Sequence, residues 1–153
     1  MLPSDPEKVR AALLRWTRGD EAAADFLNEI AEIARLADDV VDEDECRQRN
    51  VCWLLVRTLT RLPLNPFFIR HAAALAPLIN SVIVQWQLSD EWRSSHDALK
   101  RQFGFVMREA VGSIVTAVAA IIGGYDHAKT VTEDFFHTCH SGSRETVEDW
   151  MKD

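Results

Sequence analysis

Apolar residues recur along this chain at steps of three and four, and residues that start and stop helices punctuate the steps. Asp5-Pro6 supplies an N-cap and a proline at the first helical position, Val9, Leu13, Leu14 and Trp16 follow, and Gly19 stands where a C-terminal glycine stop belongs. This predicts a first helix over about 6–18. Asp20 then caps a second segment in which Phe26, Ile30, Ile33, Ala37, Val40 and Val41 keep the helical period, predicting a helix over about 21–42. Acidic residues near Asp44 open a third helix carrying Val51, Leu55, Leu59 and Leu62, which ends at Pro63. Asn65-Pro66 repeats the cap-then-proline signature and opens a long apolar stretch through Trp86 and Leu88, in which Pro77 is expected to kink or divide the helix.

From Ser94 or Ser95 the pattern runs past Phe103, Val106, Met107, Ala110, Ile114, Val118 and Ile121 to a stop at Gly123-Gly124. From Ala110 onward this segment is small or apolar nearly all round, with Gly112, Val115, Thr116 and Ala119 on its second face, so the helix near 95–122 is expected at the centre of the fold. A last helical region over about 132–152 is interrupted at Ser141-Gly142-Ser143 and ends with Val147, Trp150 and Met151. No alternating strand pattern, internal repeat or glycine-rich phosphate loop occurs. The fold class expected is all-α, a single-domain bundle of about six helices.

Composition narrows the function. A chain of 153 residues fits one domain. A net charge of −7 argues against a non-specific nucleic-acid binder and against an anionic-membrane binder, both of which need a basic footprint. Cys46, Cys52 and Cys139 are an odd number without a CxxC pair, which suits a reducing compartment, and the N-terminal residues lack the basic and apolar regions of a secretory signal. The longest low-polarity run, 110–124, is short of the roughly 20 residues of a membrane span. A soluble, cytoplasmic protein without nucleic-acid or membrane partners is the expectation.

The strongest chemical feature is acidic. Asp38-Asp39-Val40-Val41-Asp42-Glu43-Asp44-Glu45 places six carboxylates in eight positions, starting near the C-terminus of the second helix. Helix C-termini carry partial negative charge and prefer cations, so these carboxylates repel one another and the dipole unless something positive offsets them. Magnesium takes oxygen ligands and is held by one or two carboxylates plus substrate phosphates, and Asp38 and Asp42, four residues apart, project from the same side of a helix.

At Asp38-Asp39-Val40-Val41-Asp42 the chain resembles the class I isoprenoid (terpenoid) synthases, whose first aspartate-rich motif, DDxxD, lines the cavity of an all-α bundle. The resemblance covers these residues and their helical context. It implies that Asp38 and Asp42 are magnesium ligands, that Asp39 supports them, and that the ligand is a diphosphate-containing small molecule. Projected on a helical wheel, Asp38 borders the packed face while Asp39 and Asp42 turn toward solvent. The competing reading of the cluster is a solvated acidic corner paired with Arg35, Arg47 and Arg49.

Arg108 falls on the same side of its helix as Val115 and Ala119, so it is expected to be partly buried and to need a carboxylate, with Asp38 the nominated partner, or to grip an anion with its planar fork. His137 and His140 share a helix face, but Cys139 points away from it, and partly exposed histidines are the reading. Of five tryptophans, Trp92 and Trp150 lie among charged residues and are the candidates for a partner or homo-oligomer contact. Two functions follow: a magnesium-dependent diphosphate site of the isoprenoid-synthase kind, or a non-catalytic interaction or oligomeric protein, similar in general character to the small proteins of unassigned role in bacteriophages and prophages.

Overall fold

A computed structural model describes residues 5–42, 45–140 and 146–152. The chain is all-α, 87% helical, with no strand among the described residues. It divides into two compact units, one ending at Ala72 and the other beginning at Ala73.

The first unit is built around α2. Helix α1 (Pro6–Trp16) starts as its sequence dictates, with the Asp5 carboxylate accepting hydrogen bonds from the Glu7 and Lys8 amides at 3.0 and 3.4 Å. After Trp16 the chain turns away through Gly19, whose φ of 82° is a left-handed conformation that a side chain resists. Helix α2 (Glu21–Asp42) packs against α1 and against α3 (Arg47–Val56). Its stripe buries Ala23, Phe26, Leu27 and Ile30 together with Leu13 and Trp16 of α1. The stripe fades toward the C-terminus, where Ile33, Ala37 and Val40 are half-buried and Val41 is exposed.

Helix α3 passes directly into a π-helical turn, Arg57–Arg61, and a short α4 (Leu62–Leu64). Asn65 then caps α5 (Pro66–Arg93): its side chain accepts from the Phe68 amide and donates to the Ala22 carbonyl, both at 2.9 Å, which ties the start of α5 to α2. Pro77 does not divide α5 as its position suggests. A proline in a helix removes one donor, and here the neighbouring residues Ala73, Ala74 and Ala76 are exposed, so water can serve the backbone group that loses its partner.

In the second unit the helix expected near 95–122 is two helices. Helix α6 (Ala98–Met107) is capped by the Asp97 carboxylate, and α7 (Gly112–His140) begins after a turn. Through that turn the bonds shorten to the i→i−3 type, with the Ala110 amide on the Met107 carbonyl and the Gly112 amide on the Glu109 carbonyl, and α6 and α7 meet at 43°. Helix α7 in turn is broken at Gly124, at φ 75° and ψ −169°, where the glycine pair signals a stop. Beyond it the chain folds back. The hydroxyls of Thr116 and Thr132 meet at 2.6 Å, although a straight helix would set them about 24 Å apart, and a Cβ on Gly112 would lie 2.8 Å from the Phe135 ring. Ile114, Val115, Val118, Val131 and Phe135 are buried between the two arms. A final short helix, α8 (Val147–Trp150), carries a capping box between Thr146 and Asp149 and packs on α6.

Candidate functional site

The feature with the most chemistry is a cleft of about 470 Å³ between α2 and the continuous α3 and π-helical segment. Glu32, Arg35 and Asp39 enter it from α2, and Arg49, Trp53, Arg57 and Arg61 from the opposite wall. Those last four recur at every fourth position. In an α-helix a step of four overshoots one turn by about 40°, so four such residues would drift around the helix. The π-helical turn is wider, and in it a step of four falls short of a full turn. Overshoot and shortfall offset one another, and Arg61 returns to the wall that Arg49 and Trp53 began.

Ion pairs hold the two walls together. Arg57 reaches both oxygens of Glu29 at 2.8 Å and Glu32 at 3.3 Å, with Arg57 and Glu29 only 16% and 14% exposed. Arg35 binds Asp39 at 2.7 Å and Glu32 at 3.3 Å along α2. Arg61 approaches Glu29 more loosely, at 3.7 Å, and lies over the Trp53 ring at 5.7 Å. Arg49 and Glu45 line the same cleft and have no ion pair among the described residues. The sequence reading missed this wall because it followed the apolar residues of α3; the signal available was the four-residue repeat of Arg49, Trp53, Arg57 and Arg61.

The carboxylates of the acidic motif at the end of α2 differ in setting. Asp38 and Asp42 are exposed, whereas Asp39, expected outward, turns into the cleft and is held by Arg35. The positive charge that a helix C-terminus crowded with carboxylates requires comes from arginines: Arg35 serves Asp39, and the Arg47 Nε donates to the Val40 carbonyl at 2.9 Å. Glu43 and Asp44 lie outside the described residues, as does Ser141-Gly142-Ser143. Among the described residues no three His, Cys, Asp or Glu side chains are grouped as a metal ion needs.

Arg108 belongs to the second unit and Asp38 to the first. The Arg108 guanidinium lies over the Phe105 ring at 4.6 Å and near Trp150 at 5.9 Å, and its Nε is 3.4 Å from Glu109, so aromatic faces and its own neighbour in sequence take up the charge. Trp150, expected at an interface from its charged neighbours, is buried inside its own unit, only 7% exposed. Trp92 is half-buried with Lys100 above its ring at 5.8 Å. His137 is exposed, and His140 is half-buried, 3.7 Å from Glu109 and stacked on Phe136.

Exposed apolar surface is the second prominent feature. Val51, Leu55 and Leu59, the stripe expected to face the core from the third helix, face water at 37, 51 and 69% exposure, and Val56 beside them is also exposed. The arginine and tryptophan face of α3 is the one turned to α2. Helix α5 shows the same character: its most apolar window is 11% buried, and by length and composition alone this helix is long and apolar enough to cross a membrane.

The three cysteines differ in exposure. Cys46 and Cys52 are exposed, while burial, reinforced by the nearby Glu109 charge, pushes the Cys139 thiol above its ordinary pKa. A raised pKa leaves less thiolate at a given pH, and the thiolate is the nucleophile. Timed maleimide labelling at pH 8, read by peptide mass spectrometry, should modify Cys139 several-fold more slowly than the other two; equal rates would contradict the burial.

No family model matches this chain, and no curated protein or solved structure matches it.

Proposed function

We propose that this chain is a non-catalytic interaction protein that pairs with a second copy of itself through the outward stripe of α3. The observation that carries the reading is the exposure of Val51, Leu55 and Leu59 on a helix whose polar face is turned inward. Apolar surface removed from water contributes about 25 cal/mol per Å², and contiguous apolar patches on a folded chain mark contact surfaces.

A second copy fits this stripe better than a charged partner does. The stripe carries no charge, so two molecules of net charge −7 meet there with the least repulsion. Apolar residues at helical spacing are also self-complementary when two copies of one helix cross about a two-fold axis, the commonest symmetry of soluble oligomers. The exposed apolar window of α5 adds surface of the same kind.

Size-exclusion chromatography with light scattering, over a wide range of protein concentration, tests the reading. The wild type is expected to show twice the 17.4 kDa chain mass, and Leu55→Asp/Leu59→Asp to elute as a monomer with unchanged helical circular dichroism. A wild type that stays monomeric at every concentration overturns the proposal, as does a double variant that still dimerises. Flotation with phosphatidylcholine vesicles is the companion measurement: recruitment of a monomeric wild type would assign the apolar surface to lipid instead.

A further inference from the structure

The cleft between α2 and α3 sets four arginines against the carboxylates of Glu32, Asp39 and Glu45. Four of the 17 basic residues of a chain with net charge −7 line one opening, together with an indole ring. They are not equivalent. Arg35 and Arg57 are committed to Asp39, Glu32 and Glu29 at 2.7 to 3.3 Å and act as walls. Arg49 has no ion pair among the described residues, and Arg61 is 47% exposed with a single carboxylate approach at 3.7 Å. Between these two cations in the repeat lies Trp53, 46% exposed.

We infer that this cleft binds a nucleoside diphosphate, with the phosphates on Arg49 and Arg61 and the base on the face of Trp53. Guanidinium forks match phosphate oxygens in pairs, and Arg61, held only loosely by Glu29 at 3.7 Å, can second Arg49 on a ligand with adjacent anionic groups. A base stacks on any exposed aromatic face, and with the Arg61 guanidinium over one face of the Trp53 ring the base would take the other. The cleft volume of about 470 Å³ falls within the range of small-molecule sites. Glu45 opposes the anion from the rim, since it too has no ion pair among the described residues.

The site needs neither self-association nor a metal ion, so titration calorimetry in EDTA on the full chain tests it, with ADP, inorganic pyrophosphate and adenosine as probes. ADP is expected to bind about tenfold or more tightly than pyrophosphate, with adenosine giving no measurable heat. Arg49→Ala should weaken ADP about tenfold, Glu45→Gln should tighten it, and Trp53→Leu should bring ADP down to the affinity of pyrophosphate while leaving pyrophosphate unchanged. Arg49, Glu45 and Trp53 are all exposed, so circular dichroism of the variants should match the wild type. Absence of ADP binding at millimolar concentration overturns the inference. So does ADP binding that Arg49→Ala and Trp53→Leu leave intact, and equal affinity for ADP and pyrophosphate removes the nucleoside from the assignment.

Discussion

Phe26→Ala is expected to lower the melting temperature by about 10 °C or more. Phe26 is fully buried on α2, stacked at 5.8 Å on Phe68 and tilted at 5.9 Å against Phe67, both from the first turn of α5. Truncating a buried phenylalanine costs about 3–5 kcal/mol through lost transfer energy and the cavity left behind. The surroundings cannot close that cavity cheaply. Asn65 pins the start of α5 through its bonds to Ala22 and Phe68, so the two rings that would have to move are fixed at their backbone. Against a total stability of about 5–15 kcal/mol the loss is a large share. Thermal unfolding followed by circular dichroism measures it, and Phe26→Leu, which leaves less empty volume, should lose less than half as much. A melting temperature for Phe26→Ala within a degree or two of wild type would show that these rings do not form the core of the first unit.

Phe26 also marks where the sequence was legible. It belongs to a stripe repeated at steps of three and four, capped by Asp20, and both the helix and its buried face follow from that pattern. The starts of α1 and α5 were legible for the same local reason, since Asp5-Pro6 and Asn65-Pro66 carry their caps in sequence. Helix α3 shows the limit. Periodicity places Val51, Leu55 and Leu59 on one face but does not say what covers that face, and here their own unit does not. The inward face is polar because its repeat of arginines and Trp53 pairs with Glu29 and Glu32, across a separation in sequence that no local pattern encodes. Its alignment also depends on a π-helical turn, invisible to a template built on 3.6 residues per turn.

The two faces of α3 differ in kind, one apolar and exposed, the other polar and paired with α2. The carboxylates at the end of α2 attract attention in the sequence because six occur in eight positions, yet in the fold Asp39 serves chiefly to hold Arg35. Exposed ion pairs of that kind contribute little to stability. Their consequence is positional: Arg35 and Arg57 are occupied, Arg61 is held more loosely at 3.7 Å from Glu29, and Arg49 has no ion pair among the described residues.

Trp150→Ala is expected to detach α8 and destabilise the second unit by about 3–5 kcal/mol. Its charged neighbours Glu148 and Asp149 suggest a surface residue, yet Trp150 meets the Phe105 ring edge-on at 5.8 Å and accepts the Arg93 guanidinium over its own ring at 5.7 Å. Arg93 further ties it down by donating from Nε to the Trp150 carbonyl at 2.9 Å. Gly104 is what admits the indole: a Cβ there would stand 3.1 Å from the Trp150 ring and 3.2 Å from the Ser89 carbonyl. A four-residue helix cannot persist without such an anchor, even with its Thr146 and Asp149 capping box intact, because helix nucleation is unfavourable. Hydrogen exchange by mass spectrometry should therefore show amides 147–152 of Trp150→Ala exchanging at the unprotected rate, alongside a lower melting temperature. Gly104→Ala should reproduce part of the effect while keeping the indole, since it crowds the same contact from the other side. If Trp150→Ala melts like wild type and keeps 147–152 protected, the burial of Trp150 does not hold α8 to α6.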